Sequence, residues 1–165
     1  MDTSGNINWL SMEEALMKQT QDGKKVMFLF YSNTYQPISS ELMLKVNLQH
    51  PYLSTYINKY FHPVLFDAAR TDTITMFDRT YINEQIAPGY PHQFVFEVLK
   101  NNLTFPSLLF LNNNSQLVAP IQGYYNNKIL EPYLHYIATD AYKSDKYNNY
   151  QEYYKQFEGN IKKTE

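Results

Sequence analysis

Val26-Met27-Phe28-Leu29-Phe30-Tyr31 is an unbroken apolar run set between Lys24-Lys25 and Ser32-Asn33. Such a run, without polar alternation, predicts a strand buried on both faces at the centre of a sheet. Val64-Leu65-Phe66, preceded by Pro63 and closed by Asp67, predicts a second short buried strand. Ser107 to Leu111 and Leu117 to Gln122 flank the loop Asn112-Asn113-Asn114-Ser115 and predict an antiparallel pair that Gly123 ends. Ile74 to Ile82 alternate about a polar turn, which predicts a small hairpin within Thr71 to Asn83.

Helical periodicity fills the intervals. Ser11-Met12-Glu13-Glu14 is a capping box, so a helix should run to about Gln21 and stop at Asp22-Gly23. Pro37 suits a first helical turn, and Ile38, Leu42 and Val46 follow it as an apolar stripe. Leu53, Tyr56, Ile57 and Tyr60 repeat the pattern after Pro51, and His92 to Leu99 reads as a further helix that exits at Asn101-Asn102. Leu130, Tyr133, Leu134, Ile137 and Ala141 mark a late helix, with Pro132 expected near its first turn. Tyr147, Tyr150, Tyr154 and Phe157 continue as an aromatic stripe on a terminal helix, before a frayed Lys162-Lys163-Thr164-Glu165. The order helix, strand, helix, strand, helix, strand pair, helix is an α/β layer architecture.

Composition changes this picture in three places. A chain of 165 residues fits one domain, and 16 Tyr with 10 Phe make aromatic rings its main core material. A net charge of −2 supplies no basic field for phosphate backbones, which argues against nucleic acid. No apolar run reaches the ~18 residues of a membrane span. The third change is the absence of cysteine, which removes disulfides, thiolate metal sites and thiol chemistry together.

Several landmarks then coincide: Ile7-Asn8-Trp9-Leu10 before the capping box, the buried strand, Tyr35-Gln36-Pro37-Ile38 at a helix start, and Phe105-Pro106 before a strand. In this order, over about Ile7 to Phe157, the chain resembles the thioredoxin family, and in particular exported thioredoxin-related proteins of Bacteroidetes-type bacteria. The resemblance implies a thioredoxin-like α/β fold: a central mixed sheet flanked by helices, with a small hairpin insertion at Ile74 to Tyr81 and an extra C-terminal helix. It also implies domain limits of 7–142, a packed helical extension over 143–165, and a disordered start or leader remnant over 1–6. Location outside the cytoplasm, in the periplasm, follows from the same resemblance, with the cytoplasm as alternative.

Where the family carries Cys-x-x-Cys, often with Pro third, this chain has Tyr35, Gln36, Pro37 and Ile38. Where it buries a proton-handling Asp six residues before the first Cys, this chain has Leu29. A phenol and an alkyl group cannot form a mixed disulfide, so disulfide oxidoreductase activity is excluded. His50, His62, His92 and His135 stand singly, so no metal or other cofactor is expected. The resemblance makes Pro106 a cis-proline, Phe105 the residue whose backbone pairs with an extended peptide, and Gly123 a point of close approach. Around them it places Tyr31, Thr34, Tyr35, Gln36, Pro37, Ile38 and Tyr124, an apolar and aromatic set with polar tips. Three readings remain open: a protein- or peptide-binding groove, a purely structural module, and an enzyme or small-molecule binder with a non-thiol site around Tyr35.

Overall fold

The computed structural model describes residues 6–161. Helix α1 (Met12–Asp22) is followed by β1 (Lys25–Tyr31), α2 (Pro37–Leu42), α3 (Pro51–Tyr60) and β2 (Phe61–Asp67). The hairpin β3 (Ile74–Met76) and β4 (Arg79–Tyr81) comes next, then α4 (Gln93–Val98), β5 (Ser107–Leu111) and β6 (Leu117–Gln122). Helices α5 (Asn127–Ala138) and α6 (Tyr150–Gln156) close the chain. The main sheet has the order β2-β1-β5-β6, with β1 and β2 parallel and the other pairs antiparallel. Leu10 adds a parallel bridge to Val64 on the outer side of β2. This is the thioredoxin-like α/β fold, a mixed sheet flanked, among the described residues, by six α-helices.

Strand β1 lies at the centre because it has no side to show to water. Val26, Met27, Phe28, Leu29 and Phe30 are all 0% exposed. Alternation sends Val26, Phe28 and Phe30 into one core with Phe66, Phe94, Phe105 and Leu109, beneath α1, α4 and the hairpin. Met27 and Leu29 enter a second core with Met43, Leu53, Ile57, Phe61, Phe110 and Leu134, beneath α3 and α5. Every one of these helices except α2 is started by a side-chain acceptor. Ser11 Oγ accepts from Glu14 N while Glu14 returns a carboxylate to Ser11 N, both at 3.1 Å. Asn126 and Asn149 cap α5 and α6, and two histidines cap α3 and α4: His50 Nδ1 accepts from Tyr52 N and His92 Nδ1 from Phe94 N.

Four expectations need correction. The stripe Ile38, Leu42 and Val46 faces water; the buried positions of α2 and the π-helical turn Met43–Asn47 that continues it are Ser40, Met43 and Asn47. Periodicity fixes the spacing of a face but not which face the tertiary fold selects. Pro132 sits in the second turn of α5, buried, and leaves the Lys128 carbonyl without its helical donor. Ala141 falls in a separate 3-10 turn, Ala141–Lys143. On α6 the inward aromatics are Tyr150 and Tyr153, whereas Tyr154 is 50% exposed and Tyr147 precedes the helix. Of the expected leader remnant, residues 1–5 lie outside the described residues, as does the expected frayed end at 162–165; Asn6 belongs to the fold, its carbonyl accepting from Asn58 Nδ2 at 2.8 Å. No helix among the described residues is long and apolar enough to cross a membrane.

Candidate functional site

β1 delivers the chain to a turn built on two buried serines. Ser32 Oγ accepts from Thr34 N at 3.1 Å and Tyr35 N at 2.8 Å, and Ser40 Oγ accepts from Ser32 N at 3.2 Å. These hydroxyls shape residues 32–36 and were not among the sequence candidates; a serine at the end of a buried strand, five residues ahead of a helix start, was the available signal. The turn ends at Gln36, whose left-handed backbone, φ 53° and ψ 50°, aims its side chain back across the site. Gln36 Oε1 accepts from Phe105 N at 2.7 Å.

Phe105 and Pro106 are joined by a cis peptide bond, and both residues are buried. The Phe105 ring belongs to the first core, and the half-exposed Tyr35 ring stands beside it with centroids 6.4 Å apart. The Pro106 carbonyl accepts from Gly123 N at 2.8 Å. Gly123 has φ +100°, and a Cβ added there would meet nothing nearer than Thr104 Cγ2 at 3.9 Å. Backbone conformation, not crowding, therefore calls for glycine at this position. Gly89 differs: an added Cβ would lie 2.7 Å from Thr34 Cβ, so the loop after the hairpin rests directly on the turn. Asn83 Nδ2 knits that loop by donating to the carbonyls of Tyr90, Arg70 and Ala69.

The structure thus brings Tyr35, Gln36 and Phe105 into contact and ties Pro106 to Gly123. Those contacts do not include Ile38, 74% exposed, or Tyr124, 44% exposed. Pro37 and Thr34 are exposed. Tyr31 is half-buried at the end of β1; burial, with the Asp67 carboxylate nearby, raises its hydroxyl above the ordinary phenol range. Leu29 is fully buried in the second core, paired across the sheet with Leu65 and Leu108. The alkyl side chain of Leu29 can handle no proton. Among the described residues no cluster of three or more His, Asp or Glu side chains could hold a metal ion. Thiol exchange has no nucleophile in this chain.

The sequence pattern of the family described as "Thioredoxin-like domain" matches residues 12–138. Among solved structures the chain is similar to a thioredoxin from Thermus thermophilus, at 16% identity and a TM-score of 0.62, over 87% of this chain and 97% of that one. It is also similar to a DsbH oxidoreductase, at 21% identity and a TM-score of 0.51, over 74% of this chain and 79% of that one. A thioredoxin-fold protein from Helicobacter pylori aligns at 11% identity and a TM-score of 0.53, over 82% and 80% of the two chains. At such identities the likeness is one of fold. No curated protein matches the sequence. With the family pattern spanning most of its length and both sulfur positions replaced, the chain belongs to the thioredoxin-like family as a member without thiols.

Proposed function

We propose that the protein is a non-catalytic binding module that engages an extended protein or peptide segment at the cis-proline loop, with Gln36 as the gate. One observation carries this reading: the side-chain amide of Gln36 occupies the Phe105 N–H, the main-chain donor that strand addition would use. An amide carbonyl on that donor is the chemistry an incoming peptide backbone would supply. A partner strand displaces Gln36 and exchanges one hydrogen bond for another, while Tyr35 offers an aromatic contact beside it. We also place the module outside the cytoplasm, as in the exported Bacteroidetes-type proteins it resembles; a chain without cysteine has no thiol to be oxidised in such a compartment. Fractionation of the native cells tests that location.

The gate is tested by Gln36→Ala and Gln36→Glu, followed by the Phe105 amide resonance during titration with an extended model peptide of alternating Val and Thr. Removal of the internal acceptor should tighten binding roughly three- to tenfold, the equivalent of one net hydrogen bond, with a shift at Phe105. Gln36→Glu retains an acceptor, and a carboxylate is the stronger one, so it should bind no more tightly than the native chain. Absence of any peptide-dependent shift at Phe105 in all three proteins would overturn the reading. Phe105 itself is left unsubstituted, because its side chain is 1% exposed and a carboxylate there would unfold the first core.

A further inference from the structure

The outer face of α2 is inverted relative to its neighbours. Ile38 is 74% exposed, Leu42 41% and Val46 58%, on one side of α2 and its π-helical continuation, while Ser40 and Asn47 are turned inward. Three large apolar side chains at four-residue spacing form a continuous stripe, and a stripe facing water while polar residues are buried behind it calls for a covering surface. The flank of the stripe is charged in a specific order. Glu41 and Lys45, 60% and 68% exposed, are one helical turn apart and joined at 2.8 Å.

We infer that this face pairs with the same face of a second copy, in a two-fold, antiparallel dimer. A two-fold axis reverses the helix direction, so Glu41 of each copy meets Lys45 of the other, and Ile38 of each meets the Val46 end. The apolar stripe of each copy is thereby covered, and the two Glu41–Lys45 pairs, each already formed within one copy, become a four-charge cluster of alternating sign. A parallel two-fold arrangement would put the two Glu41–Lys45 flanks on opposite sides of the seam, where they do not meet. A lipid surface fits less well, because residues 37–48 carry a single cation, Lys45, balanced by Glu41, in a chain of net charge −2. The inference does not rest on the peptide reading, which concerns Gln36 and Phe105.

Sedimentation velocity over a wide concentration range, at moderate salt, tests it with exposed substitutions that leave the core intact. The native chain should shift from monomer to dimer with concentration, and so should Gln36→Ala. Glu41→Lys and Lys45→Glu should each weaken the dimer at least tenfold, since each sets like charges across the axis. The double exchange Glu41→Lys/Lys45→Glu should restore it, and Ile38→Ser/Val46→Ser should abolish it. Circular dichroism confirms that each variant is folded. A native chain that stays monomeric throughout, single charge variants that dimerise normally, or a double exchange that fails to recover would each overturn the inference. Co-flotation of the monomer with phosphatidylcholine–phosphatidylglycerol vesicles would overturn it in favour of a lipid surface.

Discussion

The two faces of the sheet are both aromatic, yet they use different aromatics for different purposes. The face under α1, α4 and the hairpin is a phenylalanine core: Phe30 packs on Phe66 at 5.0 Å and Phe66 on Phe94 at 5.5 Å. The face under α3 and α5 has a mainly aliphatic centre that holds only the Phe61–Phe110 pair, and a tyrosine rim in which Tyr136 meets Tyr150 at 5.2 Å and Tyr153 at 5.0 Å. Phe asks only for dry contact. Tyr must also place a hydroxyl, and burial pushes those hydroxyls up, Tyr133 to about 12 and Tyr56 and Tyr150 further in the same direction. The tyrosine face is the one that receives the C-terminal segment. Buried Glu131 on α5 accepts from Asn160 N, Asn160 Nδ2 and Ile161 N, and Asn160 Nδ2 also donates to Tyr52 Oη, which is bonded to His135. A half-polar rim can take a late-arriving segment, whereas a sealed phenylalanine core cannot.

The largest effect should come from the sealed side. Phe66→Ala should cost about 3–5 kcal/mol by urea unfolding, against about 1–2 kcal/mol for half-buried Tyr153→Ala. Equal costs would mean that the rim is as tightly packed as the core. Next in size, Glu131→Ala should cost about 1–3 kcal/mol by leaving the tail donors without acceptors. Its separate signature is new chymotryptic cleavage at Phe157 under native conditions; an uncut tail would show that aromatic contacts alone hold it.

One histidine on each face, His92 fully buried and His135 half-buried, gives a pH test. His92 is fully buried, its Nδ1 accepts from Phe94 N and its Nε2 donates to the Asp72 carbonyl at 2.8 Å, an arrangement that needs the neutral ring. Burial pushes its pKa down, against the opposing pull of the Asp72 backbone and carboxylate. Burial also lowers His135, against Glu131. The unfolded chain takes up these protons near pH 6.5. The folded chain takes them up only at lower pH, so the contribution is complete above about 6.5 and is lost as pH falls toward the folded values, by at most ~1.4 kcal/mol per pH unit for each group. Unfolding midpoints of His92→Asn and His135→Asn at pH 7.5 and 5.5 should show the slope reduced in each; an unchanged slope would place the acid sensitivity elsewhere. The smallest effect belongs to Tyr150→Phe. Its hydroxyl is buried without a hydrogen-bond partner among the described residues, so its removal should be neutral or stabilise by up to about 1 kcal/mol.

Much of the architecture was legible because local chemistry and tertiary fold agree there. The Ser11 capping box, the two-sided burial of Val26 to Phe30, the hairpin and the β5–β6 pair each follow from a short-range pattern. Legibility failed where a pattern has two tertiary solutions. Ile38, Leu42 and Val46 have helical spacing whichever side faces the sheet, and Tyr153 and Tyr154 compete for the same inward position. At the candidate site the sequence named Gln36 and Phe105, but their hydrogen bond spans 69 residues and depends on a left-handed backbone at Gln36. Ser32 and Ser40 act through backbone amides, and the two capping histidines use ring nitrogens as acceptors, roles that residue type alone does not announce.

Pro120 stands in β6, the outermost strand on its side of the sheet. The opposite margin, β2, is already partly occupied by Leu10, whose N–H donates to the Pro63 carbonyl at 2.8 Å. An edge strand is a template on which other chains can stack without limit, and a proline deletes one rung of that template. The sheet is thereby discouraged from growing into fibrils at either margin.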